Sequence, residues 1–461
     1  MFHTVFWYSS SDSPPPAVPA SARRARRGHT GREVPCMPKR ALFFCALLAA
    51  CAVLFCACAS SQSASAPSAS APQAENEAGP QPLCMLHSSD EKAGKKAKTN
   101  DGIYFVEWRD DDSNGSNLLY LDYATRQAIV VCEKPDCLHN DETCTAFFPY
   151  RYGAANSCVV GNYLYMIFAG SEKENTLPAL YRIDLNGQNR TQLATLPSEF
   201  DYNNPVATDG EKLYTVCNRI ETEESGRIHT FTNLISLSLQ DGTMQTLREW
   251  DCDAYLWGAE GGTLSVMLPA EAKEASVNFN IEVLSPSGEL LATQPFQNMT
   301  PRYYVTENTI YWYNLADGSI YARKLNSSEE QQIATGLLFP DADDVALINV
   351  YYPYIFLEHF TLDTGGKYHY EVYNAESGEL HEVDLFLFET PTDNKLIPVY
   401  DKIGDSLLVA NRENHQEITG FNSDGQAITF EVMEPVQAFI SIDDFLNSRP
   451  NYEEVKLPQL A

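Results

Sequence analysis

Seven times along this chain a turn residue is followed at once by a short apolar or aromatic strand, at nearly even intervals. Asn100-Asp101-Gly102 precedes Ile103 to Val106, Gly161-Asn162 precedes Tyr163-Leu164-Tyr165, and Asp209-Gly210 precedes Leu213-Tyr214. Gly261-Gly262 precedes Leu264 to Met267, Glu307-Asn308 precedes Ile310-Tyr311-Trp312, Pro353 precedes Tyr354-Ile355-Phe356, and Gly404-Asp405 precedes Leu407-Leu408-Val409. Openers at 102, 161, 210, 261, 308, 353 and 404 are separated by 59, 49, 51, 47, 45 and 51 residues. A further strand recurs downstream of most openers, as in Leu119 to Asp122, Leu180 to Asp184 and Tyr370 to Asn374.

A repeat of about 50 residues has room for four short strands, which is the signature of a β-propeller. The sequence therefore predicts an all-β fold: seven blades of four-stranded antiparallel sheets over 100–461. Six or eight blades fit a looser choice at the fourth and sixth openers. A β-helix would repeat over fewer residues, and a sandwich would not repeat so evenly. The 25 tyrosines and 22 phenylalanines suit strands whose flat rings fill the space between blades.

The N-terminal quarter reads differently. Lys39-Arg40 precedes the apolar run Ala41 to Phe55, then Cys56-Ala57-Cys58 and a Ser/Ala/Pro tract. The run is shorter than the ~20 residues of a membrane span, and the order is that of a bacterial lipoprotein signal. Cys58, after Ala57, is the expected lipid attachment site; Leu48-Ala49-Ala50-Cys51 makes Cys51 the alternative. An uncleaved anchor is the competing interpretation, and either route puts the chain on the extracytoplasmic face of the cell membrane. Residues 1–36 fall outside the signal pattern, Met37 fits the true start, and 37–58 form the signal peptide. The Arg23-Arg24 and Arg26-Arg27 pairs lie too far from the apolar run to mark twin-arginine export. Residues 59–99, rich in Ser, Ala, Pro and Gln, read as a flexible linker.

Residues 1–57 hold seven basic and two acidic side chains, so the remainder carries 25 basic against 60 acidic, a net −35. Nucleic acid needs a basic footprint, so no nucleic-acid partner is expected. The charge serves solubility or draws cations.

The densest chemistry is Cys132-Glu-Lys-Pro-Asp-Cys137-Leu-His139-Asn-Asp-Glu-Thr-Cys144, placed after the third strand of the first blade. Three thiols and an imidazole in 13 residues admit two readings. An exported chain can oxidise two of the cysteines to a disulfide, or all four groups can hold zinc; the C-x4-C-x-H-x4-C spacing is not the usual C-x2-C knuckle. Asp110-x-Asp112-x-Asn114-Gly115 opens like a calcium loop, but its twelfth position is Leu121 where a bidentate Glu is needed, so it reads as a hairpin loop. Trp108, Trp257 and Trp312 could stack on sugars, though blade packing is the simpler role. The chain has no H-E-x-x-H, G-x-S-x-G or P-loop motif.

Cys132, Lys134-Pro135-Asp136-Cys137, His139 and Cys144-Thr145-Ala146, with the run Ile442 to Tyr452, resemble segments of uncharacterised lipoproteins of clostridial-type Gram-positive bacteria. These proteins carry a domain of unknown function likened to the low-density-lipoprotein-receptor and TolB-like propellers. The resemblance implies a propeller and a surface location and carries no activity with it. The expected role is a lipid-anchored binding or scaffold module, not an enzyme, for a glycan, peptide or protein ligand. Two alternatives stand beside it. A carbohydrate-active enzyme would show an acidic pair at the mouth of the central channel, and an envelope sensor or assembly factor would show a large apolar patch on one rim.

Overall fold

A computed structural model of the chain describes residues 81–461, apart from 87–95, 110–114, 150–151, 154, 172–174, 223–227, 271–276, 300–301, 341, 343, 362–366, 391–393, 422–426 and 460–461. Seven antiparallel sheets follow one another, spanning 96–130, 155–195, 206–250, 255–299, 303–334, 344–383 and 399–454. Each contributes four consecutive strands, and the helix Ile442–Leu446 is the only one among the described residues. Seven hydrophobic cores lie between these sheets, one at each junction, the last joining Leu408 and Phe439 of the seventh to Ile103, Leu121 and Ala128 of the first. A core at every junction, including last to first, is a closed ring, so the chain is a seven-bladed β-propeller.

The turns read as blade openers are real, but their phase differs. Gly161 joins Ala155–Val160 to Tyr163–Phe168, and Gly404 joins Val399–Ile403 to Ser406–Phe421. Every opener thus sits between the first and second strands of a blade. The first strand is short, as in Val206–Thr208 and Tyr303–Thr306, and gives little sequence signal. The hairpin at Glu307 and Asn308 turns with φ of 47° and 58°, the pair of left-handed residues a tight two-residue turn requires.

Tyrosine works at the junctions as expected. Tyr104 of blade 1 is fully buried among Leu164, Met166 and Ile183 of blade 2, and its hydroxyl donates to the Leu185 carbonyl at 2.9 Å. The ring fills the core and the phenol satisfies a backbone acceptor across the junction. Trp312 is likewise buried, stacked on Tyr321 at 5.6 Å, and Trp257 packs edge-on to Phe279 at 5.2 Å, so both serve blade packing.

The expected boundary at 99–100 moves. Lys96–Lys98 is the first strand of blade 1, with Ala97 buried between two lysines. Cys84–Met85 adds a fifth strand to blade 3, beside its first strand Val206–Thr208 and against the first strand of blade 4, on the side facing the ring axis. The composition that suggested a linker concealed the apolar Leu83, Met85 and Leu86, all packed into the cores on either side of blade 3. The boundaries proposed within 1–80 lie outside the described residues.

Antiparallel order gives the ring two unlike faces. One carries the tight turns between first and second strands and between third and fourth. The other carries the hairpins between second and third strands and the connections from blade to blade. Blade 3 extends Lys212–Thr222 and Ile228–Ser238 toward this hairpin face, and blade 7 extends Ser406–Phe421 and Ala427–Ser441. A small extra hairpin, Phe386–Glu389 with Asn394–Leu396, lies in the connection from blade 6 to blade 7. Gln81 sits on the opposite, turn face, where its N–H donates to the Asp209 carbonyl at 3.0 Å.

Candidate metal centre

The Cys/His segment follows the fourth strand of blade 1, Gln127–Val130, rather than the third, because the short axial strand Lys96–Lys98 had not been counted. It forms the connection to blade 2, on the hairpin face. Here the chain must turn back twice in little space. Asp136 and His139 both adopt left-handed backbone, each with φ of 56°, and Asp141 caps a turn by accepting from the Thr143 N–H at 2.8 Å. The result folds the four candidate side chains inward: the sulfurs of Cys132, Cys137 and Cys144 and a ring nitrogen of His139 all lie within 4.8 Å of one another. His139 Nδ1 stands 3.3 Å from Cys144 Sγ. Cys144 is buried and the other three are half-buried; all seven cysteines of the described residues are free.

Blade 1 holds the loop through its backbone. The His139 carbonyl accepts from Asn117 Nδ2 at 2.9 Å and from Arg109 Nη1 at 3.1 Å, and Arg109 Nη1 also donates to Asn117 Oδ1 at 3.0 Å. Both side chains are buried. Sequence reasoning missed them. The available signal was a polar Asn next to the apolar run Leu118 to Leu121 of the strand Gly115–Asp122, and an Arg directly after the strand Gly102–Trp108.

The environment separates the thiols. Burial opposes ionisation of Cys132, but hydrogen bonds from the Lys134 N–H, Cys144, Cys137 and Thr145 outweigh it and hold this thiol below its ordinary value. Burial pushes Cys144 up to about 12, and the nearby Cys132 adds to the rise. Burial, then the Arg109 charge, pushes His139 down, which keeps its imidazole neutral near pH 7. Three thiols, one of them eased toward ionisation, and an imidazole make a soft donor set.

Cys51 and Cys58 lie outside the described residues, as do Asp110, Asp112 and Asn114 of the calcium-like loop. An acidic pair does occur on the hairpin face. Asp344, at the start of the first strand of blade 6, and Glu358, on the second, line a cavity of about 100 Å³ with Arg302, Ala346, Phe360 and Tyr368. Arg302 pairs with Asp344. The space is small beside the ~300–1,000 Å³ of typical ligand pockets. Burial pushes the Glu358 carboxyl up to about 7, the Arg302 charge opposing and Asp344 reinforcing. A carboxyl raised on folding favours the folded state fully below its unfolded value and loses that contribution as pH rises through 7. Glu358→Gln is therefore expected to raise the melting temperature by a few degrees at pH 8 and to leave it unchanged at pH 4.5. An equal shift at both values would assign the effect to packing instead.

No protein-family model and no curated protein matches the chain. Among solved structures it is similar to a puromycin-hydrolyzing peptidase of Mycobacterium tuberculosis, at 12% identity and a TM-score of 0.45, over 84% of this chain and 58% of the peptidase. It is also similar to an oligogalacturonate lyase in complex with manganese, at 12% identity and 0.40, over 77% of this chain and 91% of the lyase. The β-propeller domain of the Trilobed protease from Pyrococcus furiosus, described as having an open velcro topology, aligns at 8% identity and 0.39, over 81% of this chain and 98% of the domain. The chain thus spans little more than half of the peptidase.

Proposed function

We propose that this chain is a lipid-anchored, extracytoplasmic binding module that presents its hairpin face away from the membrane. The observation that supports the reading is the polarity of the ring. Gln81, the first described residue after the Ser/Ala/Pro tract, lies on the turn face, while the long hairpins and the blade-to-blade connections lie on the other. A tether leaving from the turn face would hold that face toward the membrane and leave the elaborated face open. Loops set on a rigid scaffold are where binding residues concentrate. Leu138 and Leu338, each 64% exposed, lie on this face, as does the exposed Leu177. The lipoprotein family it resembles fits the same picture, with a glycan, peptide or protein as ligand.

Cys58→Ala is expected to move the protein from the membrane fraction to the medium. Release by Cys51→Ala instead would relocate the anchor, and retention of both variants would refute it. A thermal-shift screen of oligosaccharides and peptides tests the binding role, since a ligand of the native state raises the melting temperature by mass action.

One observation favours a carbohydrate-active enzyme as the second reading: the pair Asp344 and Glu358, with Glu358 held near neutral pH as a general acid requires. Cleavage of any oligosaccharide that disappears in Glu358→Gln would replace the binding reading with this one.

A further inference from the structure

We propose that Cys132, Cys137, His139 and Cys144 bind one zinc ion as a closed structural site that pins the connection between blades 1 and 2. The donor set is complete. Structural zinc takes four sulfur or nitrogen ligands tetrahedrally, and bond lengths near 2.3 Å to sulfur and 2.0 Å to nitrogen place those ligands about 3.5–3.8 Å apart. The four donors here lie within 4.8 Å of one another, and the His139–Cys144 edge measures 3.3 Å. The upper bound on these separations exceeds the tetrahedral S–S distance by only about 1 Å. With four protein ligands no position is left for water or substrate, so the site is structural rather than catalytic.

A disulfide explains less. It would use two sulfurs, leave the third beside them, and give no reason for His139 to aim Nδ1 into the cluster. It would also give no reason for two non-glycine residues, Asp136 and His139, to hold left-handed backbone. Such conformations are costly and persist where the surroundings fix them. Glu133 to Asp136 and Leu138 are all exposed, so the loop's apolar anchorage comes from the cysteines themselves, Cys144 within the core between blades 1 and 2 and Cys132 and Cys137 packed against it. Short segments with so little core are held by staples, and a metal is one.

The outer shell fits as well. The backbone that carries His139 is held in place, its carbonyl accepting from both Asn117 and Arg109. Three thiolates and a divalent ion carry a net −1, and the buried Arg109 guanidinium lies alongside. On binding, the ion accepts lone pairs from three thiolates and from neutral His139 Nδ1. The thiol protons go to solvent and nothing is oxidised or reduced. The inference holds whether or not the ring is a binding module.

The test uses the full chain, purified under reducing conditions and loaded with Zn2+ or Co2+. Wild type is expected to hold about one zinc per chain, and its cobalt form to show the visible bands of a tetrahedral thiolate site. Cys137→Ser should lose the zinc, while Leu138→Ala, on the same loop, should keep it. His139→Cys should keep the metal with shifted cobalt bands, a result that misfolding cannot mimic. Wild type that takes up no metal while its intact mass shows every thiol reduced would overturn the proposal. So would zinc retained at full content in Cys137→Ser.

Discussion

Replacing Phe439 by alanine is expected to cost about 3–5 kcal/mol and to loosen the ring at one place, the junction of blades 7 and 1. Every blade here is built from four consecutive strands, and among the described residues no sheet combines the first strands of the ring with the last. Closure therefore depends on side chains and a few backbone bonds. The core at this junction is the smallest of the seven, with five buried side chains against nine or more in each of the others. Phe439 is its largest member. Tyr123 of blade 1 meets its ring edge-on at 6.5 Å, and the Arg126 guanidinium lies 5.0 Å above it. Around this core stand a parallel bridge from Gln127 to Lys456, the Ala128 N–H donating to the Lys456 carbonyl at 2.9 Å, and the ion pair Lys98–Asp401 at 3.2 Å. Half-exposed ion pairs contribute at most ~1 kcal/mol, so they cannot replace the aromatic. Urea unfolding of Phe439→Ala measures the loss, and hydrogen exchange should rise first in blades 1 and 7. A loss below about 1 kcal/mol, the scale of a net hydrogen bond, would mean that the backbone bridges close the ring alone.

The repeat was legible because the second and third strands of each blade are its most regular parts. They carry the Tyr and Leu pairs that fill the junctions, and tight turns open the second strand wherever backbone geometry demands them. The first strand was not legible. Three or four residues such as Val206–Thr208 are too few for a period, and they are defined by the neighbouring strands they pair with rather than by their own pattern. One misplaced strand also misplaced the Cys/His segment. The four candidate ligands themselves were visible as residue types at close spacing. Their convergence was not, because it depends on left-handed backbone at Asp136 and His139, neither of which is glycine. Arg109 and Asn117 escaped notice for a related reason: they act on a backbone carbonyl, which leaves no mark in sequence.

Removing the segment before Lys96 is expected to cost about 3 kcal/mol, set by the apolar area of Leu83 and Met85 returned to water. A linker would cost nothing, so this experiment separates the two descriptions of residues 81–86. In the ring, Cys84 and Met85 pair with Thr208 and Ala207, and the Leu86 N–H donates to the Val206 carbonyl at 2.8 Å. Leu83 is buried among Ala207 and Trp250 of blade 3 and Ala254 and Leu256 of blade 4. Without the segment, the axial edge Val206–Thr208 would present unpaired backbone groups to the channel, an open strand edge of the kind that invites misassociation. The ordering entropy of six residues offsets part of the gain, which is why the expected cost stays near that of two side chains. Leu83→Ala should reproduce most of it, about 2 kcal/mol. A truncated chain that melts with wild type would show that the axial strand rests on the ring without supporting it. A loss as expected would make residues 81–86 part of the folded ring, drawn from a tract whose composition resembles a tether.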